Sequence, residues 1–178
     1  MTDMRYVVLL RGINVNPSTK VAMSDLRELV GELGHTNVRT LLQSGNVILD
    51  SASAPSAGAL DAAIHARTGV RSRVVVLSLA SFAAVAAANP LLDVGDDLSK
   101  MVVTFLDDSI VPASISRPSD EELAPERLVI TSRAIYQWCP GGILQSKLKP
   151  AWWKQLAPLS TSRNVRTVNR ILEAARTP

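Results

Sequence analysis

The chain has 178 residues, 47% hydrophobic and 20% charged, with 19 basic against 16 acidic side chains. At roughly 150 residues per domain this is one domain or two small ones, large enough to bury a core without staples. One cysteine excludes an intramolecular disulfide and a cysteine-rich zinc site, two histidines exclude a multi-histidine metal centre, and a net charge of +3 is low for a general polyanion-coating protein.

Met1-Thr2-Asp3 leads toward a strand without the basic and then apolar regions of a signal peptide. The longest apolar runs, residues 74–79 and 79–88, are too short for a membrane span. The expectation is a cytoplasmic protein with no membrane partner.

Residues 5–11 read as a buried strand, rich in β-branched and apolar side chains. Gly12 ends it, and a loop runs to about Met23. Ser24 suits a helix N-cap, Leu26, Leu29, Val30 and Leu33 follow helical spacing, and Gly34 is a stop. Strands at 38–43 and 47–50 flank Ser44-Gly45-Asn46, where Gly45-Asn46 fits a two-residue II′ loop. A small-residue connection, 51–58, precedes a helix through Leu60, Ala63, Ile64 and Arg67 that ends at Gly69, and a strand occupies 72–79. This β-α-β-β-α-β order is ferredoxin-like: a four-stranded antiparallel sheet with both helices on one face.

An alanine-rich helix, 80–88, stops at Asn89-Pro90. Beyond it come a strand at 100–106, a short helix at 120–123, a hairpin of 127–131 and 134–138, a break at Cys139-Pro140-Gly141-Gly142, a short helix at 151–156 and a last helix at 162–175. The second half thus reads β-α-β-β-α with a closing helix, an imperfect echo of the first. The class is α+β, with a ferredoxin-like subdomain over 1–90 and a second, smaller α+β subdomain over 91–178 ending in a basic amphipathic helix. Residues 93–126 carry nine acids against Lys100 and Arg117, whereas 140–178 sum to +6. Such segments can face one another in the fold or across a homodimer.

In the last helix Arg163, Arg166 and Arg170 fall opposite the apolar face of Val165, Val168, Ile171 and Leu172. With Thr161 or Ser162 as N-cap, Arg163 lies in the first turn. A cation there is disfavoured unless an anion occupies the helix N-terminus; the alternative is a solvated basic face. Arg11, Asn14 and Lys20, in and before the long loop after the first strand, could grip a phosphate or carboxylate, with Gly12 admitting close backbone approach. Equally, Arg11 could pair with a carboxylate and Asn14 tie the turn. Ser44 and Asn46 are explained by a turn without any ligand. Gly141-Gly142 with Ser146, Lys147 and Lys149 lacks the spacing of a P-loop.

Catalytic groups are sparse. No histidine near Cys139 in sequence could activate it, and neither His35 nor His65 has an identifiable partner. Asp96-Asp97, Asp107-Asp108 and Glu121-Glu122 read as solvated charge rather than magnesium ligands. Trp152 and Trp153 beside Lys147, Lys149 and Lys154 suit either base stacking or packing in a dimer seam. No metal or cofactor is expected.

The runs Leu9-Leu10-Arg11-Gly12-Ile13-Asn14-Val15 and Gln43-Ser44-Gly45-Asn46-Val47 resemble an uncharacterised bacterial family, domain of unknown function 1697. The likeness continues through Asn89-Pro90, Gly142…Ser146-Lys147 and Thr161-Ser162-Arg163-Asn164 with Thr167-Val168, and so covers essentially the whole chain. It implies a compact α+β protein of two subdomains and carries no established activity. It marks Arg11, Gly12, Asn14, Ser44, Gly45, Asn46, Lys147, Arg163 and Asn164 as family-motif positions without assigning roles. Two departures stand out: Asn16-Pro17-Ser18-Thr19 where the family commonly has Gly-Gly, and Val165 where a tryptophan is usual.

Three functions follow. The leading one is a non-catalytic binding module for an anionic ligand, a phosphate-bearing small molecule or a nucleic acid, using Arg11, Gly12, Asn14, Lys20, Ser44, Asn46, Lys147, Arg163, Asn164 and Arg166. The alternatives are an enzyme acting on a small phosphorylated or carboxylated metabolite, and an assembly protein whose motifs maintain the fold.

Overall fold

The computed structural model describes residues 4–107, 109–156 and 160–177. Met1-Thr2-Asp3 and Asp108 of the Asp107-Asp108 pair lie outside the described residues. The chain divides into two compact units, residues 1–83 with 173–178, and residues 84–172.

The first unit holds β1 (Met4–Arg11), α1 (Met23–Glu32), β2 (Thr36–Leu41), β3 (Asn46–Ser51), α2 (Ala57–Thr68) and β4 (Arg73–Ser78). Its antiparallel sheet has the order β2-β3-β1-β4. Strand alternation puts Tyr6, Val8 and Leu10 on one face, where they meet Leu26, Leu29 and Val30 of α1 and Leu60 and Ile64 of α2 in one apolar cluster. Both helices therefore cover the same face. Ser56 caps α2 by accepting the Ala59 N–H at 3.2 Å, and Gly69, at φ +73°, closes it by donating to the His65 carbonyl at 2.8 Å.

Two local expectations are corrected here. Leu41 pairs with Asn46, so the hairpin turn has four residues, 42–45, rather than two, and both Leu42 and Gly45 adopt positive φ. Helix α1 starts at Met23 after Ala22, and Ser24 does not cap it.

Helix α3 (Leu79–Ala87) follows β4. The second unit contains β5 (Met101–Leu106), α4 (Asp120–Leu123), β6 (Arg127–Ile130), β7 (Ala134–Trp138), α5 (Pro150–Trp153) and β8 (Ser160–Asn164), with α6 (Val165–Arg176) after it. The sheet order, β6-β7-β5-β8, repeats that of the first unit strand for strand. Leu106, Leu123, Leu128, Ile135, Leu148 and Leu156 form its apolar cluster.

Strand β8 overturns the helix start expected at Ser162. Ser160 to Asn164 pair with Leu106 to Val102 of β5, and α6 begins only at Val165. Asn164 is its cap, accepting the Thr167 N–H at 2.8 Å. Arg163 is consequently a strand residue, outside the helical basic face on which it was placed together with Arg166 and Arg170.

Candidate functional site

At one end of the first sheet the two leading motifs meet. The Leu10 N–H donates to the Gly45 carbonyl at 2.8 Å, and Asn14 Nδ2 donates to the Gln43 carbonyl at 2.8 Å. Asn14 also holds Val21 at both backbone groups, accepting its N–H at 2.8 Å and donating to its carbonyl at 3.0 Å. Its φ of 55° is one that asparagine tolerates better than most residues. A Cβ on Gly45 would come within 2.6 Å of Ile13 Cδ1 and 2.9 Å of Leu10 Cβ, so only glycine fits between loop and hairpin. Asn46 is fully buried and donates to the Leu41 carbonyl at 2.8 Å and to Ser44 Oγ at 3.1 Å. Asn14 and Gly45 thus fasten loop 12–22 to hairpin 42–45, and Asn46 braces the hairpin turn itself.

The same end collects positive charge. Arg11, the last residue of β1, is the direct cross-strand partner of Arg73, the first residue of β4. Opposed residues in an antiparallel pair project to the same face. Arg73 is exposed and Arg11 half-buried, Gly12 beside it has open space where a side chain would be, and Lys20 and Arg71 are exposed. Ser72 pins the two strands here through Oγ to the Arg11 carbonyl at 3.3 Å, and its N–H binds Asp61 Oδ1 at 2.9 Å. The residues between Gly12 and Val21 form no strand. Their 3-10 turn at Pro17–Thr19 is closed by a capping box between Asn16 and Thr19, which gives Asn16-Pro17-Ser18-Thr19 a local structural task.

At the far end of this sheet, residues not expected as special form an ionic cluster. Arg5 clasps Asp50 with Nε at 2.7 Å and Nη2 at 3.0 Å, and Asn37 donates to the same carboxylate at 2.8 Å. The Arg5 guanidinium, with help from Asn37 and the charge of Arg39, holds the Asp50 carboxyl below the ordinary aspartate range. Arg5 Nη1 reaches the Ala175 and Thr177 carbonyls at 2.6 and 3.1 Å, and Arg39 Nη1 reaches those of Ala174 and Thr177 at 3.1 and 3.2 Å. Two guanidinium groups therefore satisfy the open carbonyls at the end of α6, where the helix dipole favours cations.

The second-unit motif residues have local partners. Glu126, 6% exposed, accepts from Gln137 Nε2 at 2.9 Å, Ser146 Oγ at 2.8 Å and the Lys147 N–H at 2.6 Å. Ser146-Lys147 thereby latches the loop after β7 onto a buried carboxylate, while Lys147 Nζ donates to the carbonyls of Ala124 and Glu122. Arg163 is buried, donating to Thr161 Oγ1 at 3.0 Å and the Ser162 carbonyl at 2.8 Å, and burial pulls its guanidinium down to about 10. Asn164 caps α6, and exposed Arg166 pairs with Asp97 at 3.6 Å.

Burial, reinforced by the Glu126 charge, pushes the Cys139 thiol up to about 12, the reverse of what a nucleophile needs. Trp152 and Trp153 pack edge to face at 4.9 Å against the apolar cluster, and Trp152 Nε1 donates to the Ser116 carbonyl at 2.6 Å. His35 Nδ1 sits 3.2 Å from Ser51 Oγ. Among the described residues no three His, Cys, Asp or Glu side chains gather as a metal-ligand set, and no helix is long and apolar enough to cross a membrane.

A family model described as "Protein of unknown function (DUF1697)" matches residues 4–136, ending before Ser146-Lys147 and β8. Among solved structures, the chain is similar to the conserved bacterial protein SP0830 from Streptococcus pneumoniae, at 23% identity and a TM-score of 0.70, covering 98% of this chain and 99% of that one. No curated protein matches.

Proposed function

Since the chain belongs to the DUF1697 family, whose description assigns no activity, we propose from its geometry that it is a non-catalytic binding module for an anionic ligand. The ligand sits at the loop end of the first sheet. The observation that carries this reading is the Arg11–Arg73 register pair. Directly opposed residues project to the same face, so the two guanidinium groups can converge on one anion. Gly12 offers a backbone that a ligand can approach, and Lys20 and Ser44 stand exposed on the adjoining loop and turn. Asn14 and Asn46 support the site by holding those segments in place. Lys147, Arg163, Asn164 and Arg166 carry local tasks of their own and are not part of this proposal.

A thermal-shift screen against nucleotides, sugar phosphates, carboxylates and short oligonucleotides, repeated with Arg73→Gln, tests it. A ligand at about 100 times its Kd stabilises by roughly 2.7 kcal/mol, and the variant abolishes the shift. Silence across the panel, or a shift that Arg73→Gln leaves intact, overturns the proposal.

A second reading is favoured by the bonds of Asn14, Asn46 and Ser146: the family-motif residues maintain the fold. On that reading Asn14→Ala lowers the melting temperature and leaves any ligand affinity unchanged.

A further inference from the structure

Building on the anion-site reading, we infer that the ligand presents a single compact phosphate group, as in a small phosphomonoester, and not the extended backbone of a nucleic acid. Directly opposed residues of an antiparallel pair have Cα atoms about 4.5–5.5 Å apart. The side chains of Arg11 and Arg73 thus start from a footprint no wider than one phosphate, whose oxygens suit the planar fork of guanidinium donors.

Two further observations point the same way. Arg11, Lys20, Arg71 and Arg73 lie together at this end of the sheet, with the Asp61 carboxylate beside them on the Ser72 N–H. That is a local spot, where a polynucleotide would need a track neutralising several successive phosphates. Nor is there a surface for bases. Single-stranded nucleic acids are held largely by stacking on aromatic side chains. The aromatic residues of this unit, Tyr6 and Phe82, are 4% and 0% exposed.

The test uses the full chain and three probes by isothermal titration: inorganic phosphate, glycerol phosphate and a twelve-residue oligothymidylate, each over a range of salt. The expected result is one-to-one binding of glycerol phosphate, weaker binding of inorganic phosphate if the ester adds contacts, and no tighter binding of the oligonucleotide. Arg73→Gln lowers glycerol phosphate affinity about tenfold or more, the loss of a charge-assisted bond. Arg27→Gln, an equal charge change at an exposed position of α1, alters it less than about twofold. Oligonucleotide binding that is tighter and loses affinity with salt at a slope corresponding to several phosphates, about −0.7 each, overturns the compact-phosphate inference while leaving the anion site standing. Binding of all probes that is indifferent to Arg73→Gln defeats the site itself, and equal binding of both small probes assigns the ligand to free phosphate.

Discussion

In the first unit, α1 and α2 run for 10 and 12 residues and lay an apolar stripe along the sheet; in the second, α4 and α5 are four residues each. The strand order is the same in both. The second unit also takes residues 165–172 of α6, with Val165, Val168 and Ile171 buried, and it carries more buried polar groups. Among the described residues, Thr104, Glu126, Gln137, Ser160, Thr161 and Arg163 are buried polar groups of the second unit, joined by Asn89, against Asn46, Asp50 and Ser72 in the first. A helix of one turn cannot shield a sheet with side chains alone, so long loops must be pinned, and buried hydrogen-bond acceptors such as Glu126 do the pinning.

The comparison can be broken by substitution. Leu26→Ala in α1 removes a 1%-exposed side chain and should cost about 4 kcal/mol by denaturant unfolding. Glu126→Ala leaves Gln137, Ser146 and the Lys147 N–H without their acceptor and should cost about 3 kcal/mol. A cost near that of an exposed site, within about 0.5 kcal/mol, would show that the second unit does not depend on this network.

Smaller effects sharpen the contrast within the first unit. Gly45→Ala forces a Cβ against Ile13 and Leu10 at positive φ and should cost about 2 kcal/mol, with the loss appearing as faster amide exchange in loop 12–22. Asp50→Asn should cost about 1–2 kcal/mol at neutral pH. Because the folded carboxyl lies below the ordinary value of 3.8, its contribution is present above that value and lost as pH falls through the lowered one. The gap between wild type and Asp50→Asn therefore closes in strong acid, and a gap that persists there contradicts the ion pair as its source.

How much of this was legible beforehand follows from the range of each interaction. Helices α1 and α2 announce themselves through 3.6-residue spacing and a glycine stop, and β5 and β7 through apolar strand residues. The α+β class and the DUF1697 membership were legible for the same reason, since both are written in contiguous motifs. Strand β8 was not. Ser160-Thr161-Ser162-Arg163-Asn164 is a run of capping residues broken by one arginine, without apolar alternation, and it becomes a strand only because β5 lies beside it. Glu126 escaped notice because its partners are 11, 20 and 21 residues away. Arg73 is equally silent in sequence: it opens an ordinary strand, and only register brings it opposite Arg11.

The clamp of Arg5 and Arg39 on the end of α6 bears on the order in which the molecule is made. The carbonyls that these arginines bind belong to residues 174, 175 and 177, beyond all of residues 84–172. At a synthesis rate of about 5–20 residues per second, some seconds pass between the emergence of the first sheet and the arrival of the helix end that its arginines clasp. During that interval both guanidinium groups lack these carbonyl partners. Arg5 and Arg39 gain these partners only after all of residues 84–172 have been made.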